Sequence, residues 1–127
     1  MDALSDDYTI TLEERGAYLY AAVTGRRTPE NLLRFFSETH EACMRRGILN
    51  VLVEIRLSGP HFDASTVFSV ISERVALGKQ MRRIAYVVTS PDQAPRAQFA
   101  ETIAINRGVN VRLFQTVEAA EKWLKAK

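Results

Sequence analysis

The sequence lacks the residue patterns that are typical of secreted, membrane-spanning, metal-binding or nucleotide-binding proteins. Its single cysteine, Cys43, excludes an intrachain disulfide. No apolar run approaches the roughly 20 residues that a membrane-spanning helix needs. Two histidines and one cysteine are too few for a convergent metal site, so we expect no metal and no other cofactor. Glycine-rich phosphate-binding patterns are absent, which argues against a nucleotide site.

The charges are nearly balanced and are not concentrated in one segment. The 17 Lys and Arg residues against 15 Asp and Glu residues give a net charge of +2. A protein that binds nucleic acid usually clusters its cations on one face, so we expect no nucleic-acid partner. The start of the chain, MDALSDDYT, lacks the apolar centre of a signal peptide, and we therefore expect a cytoplasmic protein.

Hydrophobic periodicity predicts one α/β domain over residues 1–127. Thr28 and Pro29 mark a helix start, and Gly47 marks the end of that helix. Strands are predicted at 8–14, 17–24, 48–55, 84–89 and 109–115, and helices at 28–46, 64–80, 95–107 and from Thr116 onward. This order predicts a five-stranded, mostly parallel sheet with a leading hairpin and four helices. The residues expected to be largely buried are Leu52, Ile55, Ile71, Ala85, Val87, Ile103 and Trp123.

Three segments resemble the STAS superfamily, the sulfate transporter and anti-sigma factor antagonist domains. They are the leading hairpin, the strand VLVEI that runs into Asp63-Ala64-Ser65-Thr66, and the ending VNVRLFQTVEAAEKWLKAK. The chain is most similar to the SpoIIAA-like branch, which is related in fold to CRAL-TRIO lipid-binding domains. The resemblance implies a regulatory domain. The position of that family's regulatory phosphoserine is Ala64 here, so we do not expect Ser65 to act as a phosphorylation switch.

The stretch LSGPHFDAST, residues 57–66, contains the candidate binding residues. Strand ends and helix N-termini meet at the carboxyl edge of a parallel sheet, where backbone amides and positive potential attract anions. The predicted ligand- or partner-binding residues at this edge are Arg26, Arg27, Arg56, Ser58, His61, Asp63, Ser65 and Arg96. The alternative is that Asp63 only caps a helix and that the arginines are ordinary surface residues.

Nothing in the sequence indicates an activated nucleophile, so we predict no catalytic residues and no enzymatic activity. His40 and Cys43 lie one turn apart but fit core packing better than metal binding. Cysteine at such a position packs as a small apolar side chain.

Two functions fit these features. The first is a regulatory domain that docks a protein partner through the 57–66 loop and the following helix. The alternative is a carrier of a small lipid-like or anionic ligand, with an apolar pocket under that helix and arginines at its mouth. The second helix is apolar over much of its surface, at Val67, Phe68, Val70, Ile71, Val75 and Leu77. That breadth also predicts a homodimer, in which Val70 and Leu77 would lie at the interface.

Overall fold

Five strands form one sheet in the structure, a computed structural model that describes residues 7–127. The strands are Tyr8–Arg15 (β1), Tyr18–Arg26 (β2), Asn50–Ser58 (β3), Arg83–Val87 (β4) and Val111–Phe114 (β5). They lie across the sheet in sequence order. β1 and β2 pair antiparallel, and every other neighbouring pair is parallel. The predicted α/β fold with its leading hairpin is therefore confirmed.

Four helices connect or follow the strands. They are Pro29–Arg46 (α1), Ala64–Gly78 (α2), Ala94–Asn106 (α3) and Val117–Lys125 (α4). Side chains cap three of them, because Thr28, Asp63 and Thr116 each accept a hydrogen bond from a backbone amide three residues later. α3 lacks such a cap and begins after a short 3₁₀ turn, Pro91–Gln93. None of the helices described is long and apolar enough to cross a membrane.

The sheet separates two apolar layers. Alternate residues of a strand point to opposite faces, so Leu19 packs toward Phe35 and Cys43 of α1, whereas Tyr18 packs toward Leu124 of α4. α1, α2 and α3 line a common cavity on the first face. Among the helices in residues 7–127, α4 alone packs on the second face, against β3, β4 and β5.

Several predicted boundaries were wrong by a few residues. β3 begins at Asn50 and continues to Ser58, because its residues pair with β2 as far as Arg26. The first two residues of the predicted 57–66 loop therefore belong to a strand. β4 ends at Val87, β5 is limited to four residues, and α2 ends at Gly78.

Burial follows the prediction at four of the seven residues named from the sequence. Leu52, Ala85, Val87 and Ile103 are buried. Ile55 and Ile71 are half-buried because they line the cavity. Trp123 is half-buried because it lies at the margin of its layer, where Arg83 and Arg112 approach the faces of its ring.

Candidate functional site

An apolar cavity of about 210 Å³ lies between the sheet and helices α1, α2 and α3. Strand residues Val51, Val53 and Ile55 line its sheet side. Helix residues line the other sides, chiefly Phe36, Val70, Ile71, Val75, Ala100 and Ala104. Such an aliphatic surface offers little to water and suits an apolar ligand.

Contacts with α1 hold α2 in place, and space remains between α2 and the sheet. Arg74 of α2 donates from Nε to the Ser37 hydroxyl (3.0 Å) and the Leu33 carbonyl (3.3 Å) of α1. Nε2 of His40 lies 2.9 Å from the side-chain oxygen of Gln80, just after α2. α3 presents small alanines to the cavity. These hydrogen bonds fix α2 against α1, and the alanines of α3 leave the cavity open.

Two arginines lie at the mouth of the cavity, at the carboxyl edge of the sheet. Arg27 is half-buried and donates through its guanidinium to the carbonyls of Leu57 (2.7 Å) and Gly59. Arg96 is exposed, and its Nε lies 3.4 Å from the Phe62 carbonyl. Within residues 7–127 neither arginine forms an ion pair with a carboxylate. Desolvation, together with the charge of Arg96, lowers the pKa of Arg27. An anion at the mouth would favour the charged guanidinium and so offset both effects.

Tyr86 adds a polar group to the cavity. Its side chain is enclosed by protein, yet part of its surface faces the cavity. Desolvation raises the pKa of this phenol to about 12, and the charge of Arg27 opposes that shift. The Tyr86 hydroxyl forms no hydrogen bond with the residues that the structure describes. It is therefore a neutral donor available to a ligand.

The structure brings together three of the predicted site residues. Arg27, His61 and Arg96 all line the mouth of the cavity. Arg26 and Ser65 are exposed and do not line it. Their predicted binding role therefore has no support in the geometry of the cavity.

Arg56 and Ser58 lie away from the cavity and make contacts of their own. Arg56 forms an ion pair with Glu54, with Nη2 3.0 Å from the carboxylate. The Ser58 hydroxyl donates to the Gly25 carbonyl (3.2 Å). The Ser58 contact ties the ends of β3 and β2 together, whereas the Arg56 ion pair lies within β3.

Asp63 caps α2, as the sequence suggested. Its Oδ1 accepts from the Thr66 amide at 2.8 Å, and this bond lowers the pKa of the Asp63 carboxyl. Asp63 is exposed and does not line the cavity. The cap is thus sufficient to explain an aspartate at this position.

Glu54 was missed as a notable residue. It is a buried carboxylate in the middle of an apolar strand, and it accepts hydrogen bonds from the Tyr20 hydroxyl (2.5 Å) and from Arg56. It borders a second pocket of about 280 Å³ beside Thr89 and Ser90. Because partners already satisfy both carboxylate oxygens, we assign Glu54 a structural role.

Tyr86, Phe62 and Gln93 also line the cavity, and none of them was predicted from the sequence. Tyr86 could have been noticed, since it is the one polar-tipped side chain in the apolar run IAYVV. Phe62 and Gln93 carry no such signal. Their place at the mouth depends on how the loop before α2 packs against the turn before α3.

The buried thiol of Cys43 lines the cavity and is poorly suited to nucleophilic chemistry. Desolvation raises its pKa to about 11, so it remains protonated at neutral pH. Within residues 7–127 no group of three or more His, Cys, Asp or Glu side chains is placed to hold a metal ion.

No family model matches this chain, and no curated protein matches it. The resemblance to STAS domains therefore stays a prediction based on the quoted segments. The cavity and the groups at its mouth are the basis for any functional conclusion.

Proposed function

We propose that this protein binds and carries a small apolar ligand that has an anionic head group. The observation that carries the proposal is the cavity of about 210 Å³, which opens beside two arginines that have no acidic partner in residues 7–127. Burial of the apolar part supplies affinity at roughly 25 cal/mol per Å². The guanidinium groups position the anion, since their forked donors match carboxylate and phosphate oxygens.

The role is non-enzymatic in this proposal. The Cys43 thiol is buried with a raised pKa, and His61 at the mouth is exposed with no hydrogen bond to another described residue. The carrier is cytoplasmic in this proposal, and the relation of SpoIIAA-like domains to CRAL-TRIO lipid-binding domains supports it better than the regulatory role that the resemblance implies. It includes no cofactor and no nucleic-acid partner.

Docking of a protein partner through residues 57–66 and α2 was the first function predicted from the sequence. It remains an untested prediction. Most of the apolar residues of α2 that suggested it line the cavity instead, among them Val70, Ile71 and Val75. This placement favours the carrier over docking, because those side chains are not available to a partner on the outer surface.

Titration with a fluorescent long-chain carboxylate, cis-parinaric acid, tests the proposal. Wild-type protein should bind it saturably, with enhanced emission as the chain leaves water. Ala100→Phe places an aromatic ring in the cavity and should weaken binding by at least tenfold. Gln98→Phe adds the same ring to an exposed position of α3 and serves as the matched control. Its affinity should equal that of the wild type.

The arginines are tested in the same titration. Arg96→Gln removes an exposed cation and should weaken binding by about twofold to fivefold, the range for an ion pair that water screens. Arg27→Gln should weaken it at least as much, with folding checked by circular dichroism because Arg27 also holds two loop carbonyls. A wild-type protein that shows no saturable binding would refute the proposal.

A further inference from the structure

The cavity is elongated along the strands. Val51 and Leu57, near opposite ends of β3, both line it. Six residue steps separate them, and a strand advances about 3.3 Å per residue, so the lining of the cavity extends for about 20 Å along β3. The helices agree with this direction, because α3 lines the cavity from Arg96 at its start to Ala104 near its end.

The cavity is narrow as well as long. A volume of about 210 Å³ spread over that length leaves width for one extended chain. A buried water needs about 10–15 Å³ of such space, so the cavity holds well over ten groups of methylene size. An alkyl chain built from bonds of about 1.5 Å advances about 1.3 Å per carbon, and about 16 carbons therefore span the length.

The two ends of the cavity differ in chemistry. At the carboxyl edge of the sheet the lining includes Arg27 and Arg96, with the Tyr86 hydroxyl further inside. At the opposite end most of the lining is apolar, as at Ala104 and Val109, although His40 and Glu101 also line the cavity and are held by Gln80 and the Leu113 amide. An occupant with one charged end and one apolar end fits in a single orientation.

The head group is best matched by a carboxylate. Arg27 is half-buried and brings one positive charge, and Tyr86 adds a neutral donor. A carboxylate brings one negative charge and accepts from both groups. A phosphate monoester carries nearly two negative charges, and its desolvation costs more here because only Arg27 is half-buried, whereas water screens the charge of the exposed Arg96.

We infer that the ligand is an unbranched, single-chain carboxylic acid of about 12 to 16 carbons. Its carboxylate lies on Arg27 and the Tyr86 hydroxyl, and its chain follows β3 toward Ala104 and Val109. This inference rests on the proposed function and specifies the ligand class of the same site.

Competition between cis-parinaric acid and straight-chain acids of increasing length tests the inference. Each added methylene should tighten binding by about threefold to fourfold while it is still buried. The gain should stop at about 12 to 16 carbons, where the chain reaches the end of the cavity. Matched primary alcohols should bind at least tenfold more weakly than the acids. Tyr86→Phe should reduce that preference for acids.

A variant at the far end provides the sharpest readout. Ala104→Phe should shift the optimal chain length two to four carbons shorter and weaken the binding of hexadecanoate more than that of octanoate. Ile105→Phe changes the neighbouring exposed residue and should leave the whole series unchanged. If Ala104→Phe does not fold, Ala104→Leu fills part of the same space and should shift the optimum in the same direction.

The outcomes separate the inference from the proposed function. The inference would be overturned by affinity that is independent of chain length, by an optimum that the far-end variants do not move, or by alcohols that bind as well as acids. Saturable binding of the probe would still support the proposed carrier function. A carrier with no measurable affinity for the probe or for any of the acids would overturn both.

Discussion

Enclosure changes the properties of individual side chains around the cavity. Tyr86 and Cys43 are held in their neutral forms because ionisation would place a negative charge in an apolar layer. Arg27 stays charged, but burial lowers its pKa. A carboxylate beside Arg27 would be stabilised by the guanidinium charge, which also opposes the rise in the pKa of Tyr86. The pKa shifts around the cavity thus have consequences for stability as a function of pH.

Stability should fall as the pH rises from about 9 to about 12. The folded protein holds the Cys43 proton more tightly, with the pKa raised from 9.0 to about 11, so the unfolded chain releases its proton first. This stabilisation is complete below pH 9 and is lost as the pH rises through about 11. Tyr86 behaves in the same way between 10 and about 12.

Urea unfolding midpoints at a series of pH values measure this effect. Cys43→Ala should reduce the slope between pH 9 and 11. Tyr86→Phe should reduce it above pH 10, where part of the slope remains because the pKa values of Tyr8, Tyr18 and Tyr20 are also raised. The assignment to these two residues would be wrong if both variants kept the full alkaline slope of the wild type.

The cap of α2 offers a second test at a single residue. The pKa of Asp63 is lowered by the Thr66 amide, so its contribution to stability is present at neutral pH and is lost as the pH falls through the lowered value. Asp63→Asn keeps an acceptor oxygen and should change the unfolding midpoint little at pH 7. Asp63→Ala removes the acceptor and should lower the midpoint further. Equal midpoints for the two variants would show that the cap bond contributes nothing.

At the scale of the helix and strand, local signals predicted the helix starts well. Thr28, Asp63 and Thr116 cap helices through bonds within three residues, and such bonds can be read from the sequence. The bounds of β3 and β5 could not be read in that way, because pairing with a neighbouring strand decides where each ends.

The same distinction explains how much of the site was predicted. Arg27 and Arg96 were identified because they lie near a strand end and a helix start, features that short patterns reveal. The cavity was proposed only as an alternative, since its volume results from packing between α2, α3 and the sheet. Tyr86 was missed although its hydroxyl is unusual in the run IAYVV, because its position in β4 suggested only a core residue.

The last helix provides a test of packing. Leu124 is 1% exposed, so Leu124→Ala should cost about 2–5 kcal/mol, the usual range for a buried leucine. Trp123 is only half-buried, and Trp123→Ala should cost about 2 kcal/mol, below the range of about 3–5 kcal/mol for a fully buried tryptophan. Chemical denaturation measures both. A larger loss for Trp123→Ala than for Leu124→Ala would contradict the placement of α4.

At the scale of the whole molecule, the sheet order shapes where a ligand can lie. The strands lie side by side in sequence order. Many α/β sheets bind ligands in a crevice at the point where the strand order changes direction, and this sheet has no such point. Space opens instead between the sheet and α2. One face of the molecule thus combines the cavity, its mouth and three of the four helices.

The predicted homodimer must be tested with different variants from those that the sequence suggested. Val70 is buried and Leu77 lines the cavity, so an aspartate at either position should destabilise the monomer itself. Phe68 is 44% exposed on the outer side of α2. If that side forms the dimer, Phe68→Asp should shift sedimentation from dimer to monomer with little loss of stability. A wild type that sediments as a monomer at high concentration would remove the dimer.

The central claim is that the cavity beneath α2 holds the apolar chain of a ligand. Isotope-filtered nuclear Overhauser spectra of ¹³C-labelled protein with unlabelled dodecanoate test it most directly. We predict contacts from the methylene protons of dodecanoate to Val53, Ile71 and the Tyr86 ring. Contacts limited to the exposed Phe68 and Phe99, or no contacts at saturating dodecanoate, would contradict it.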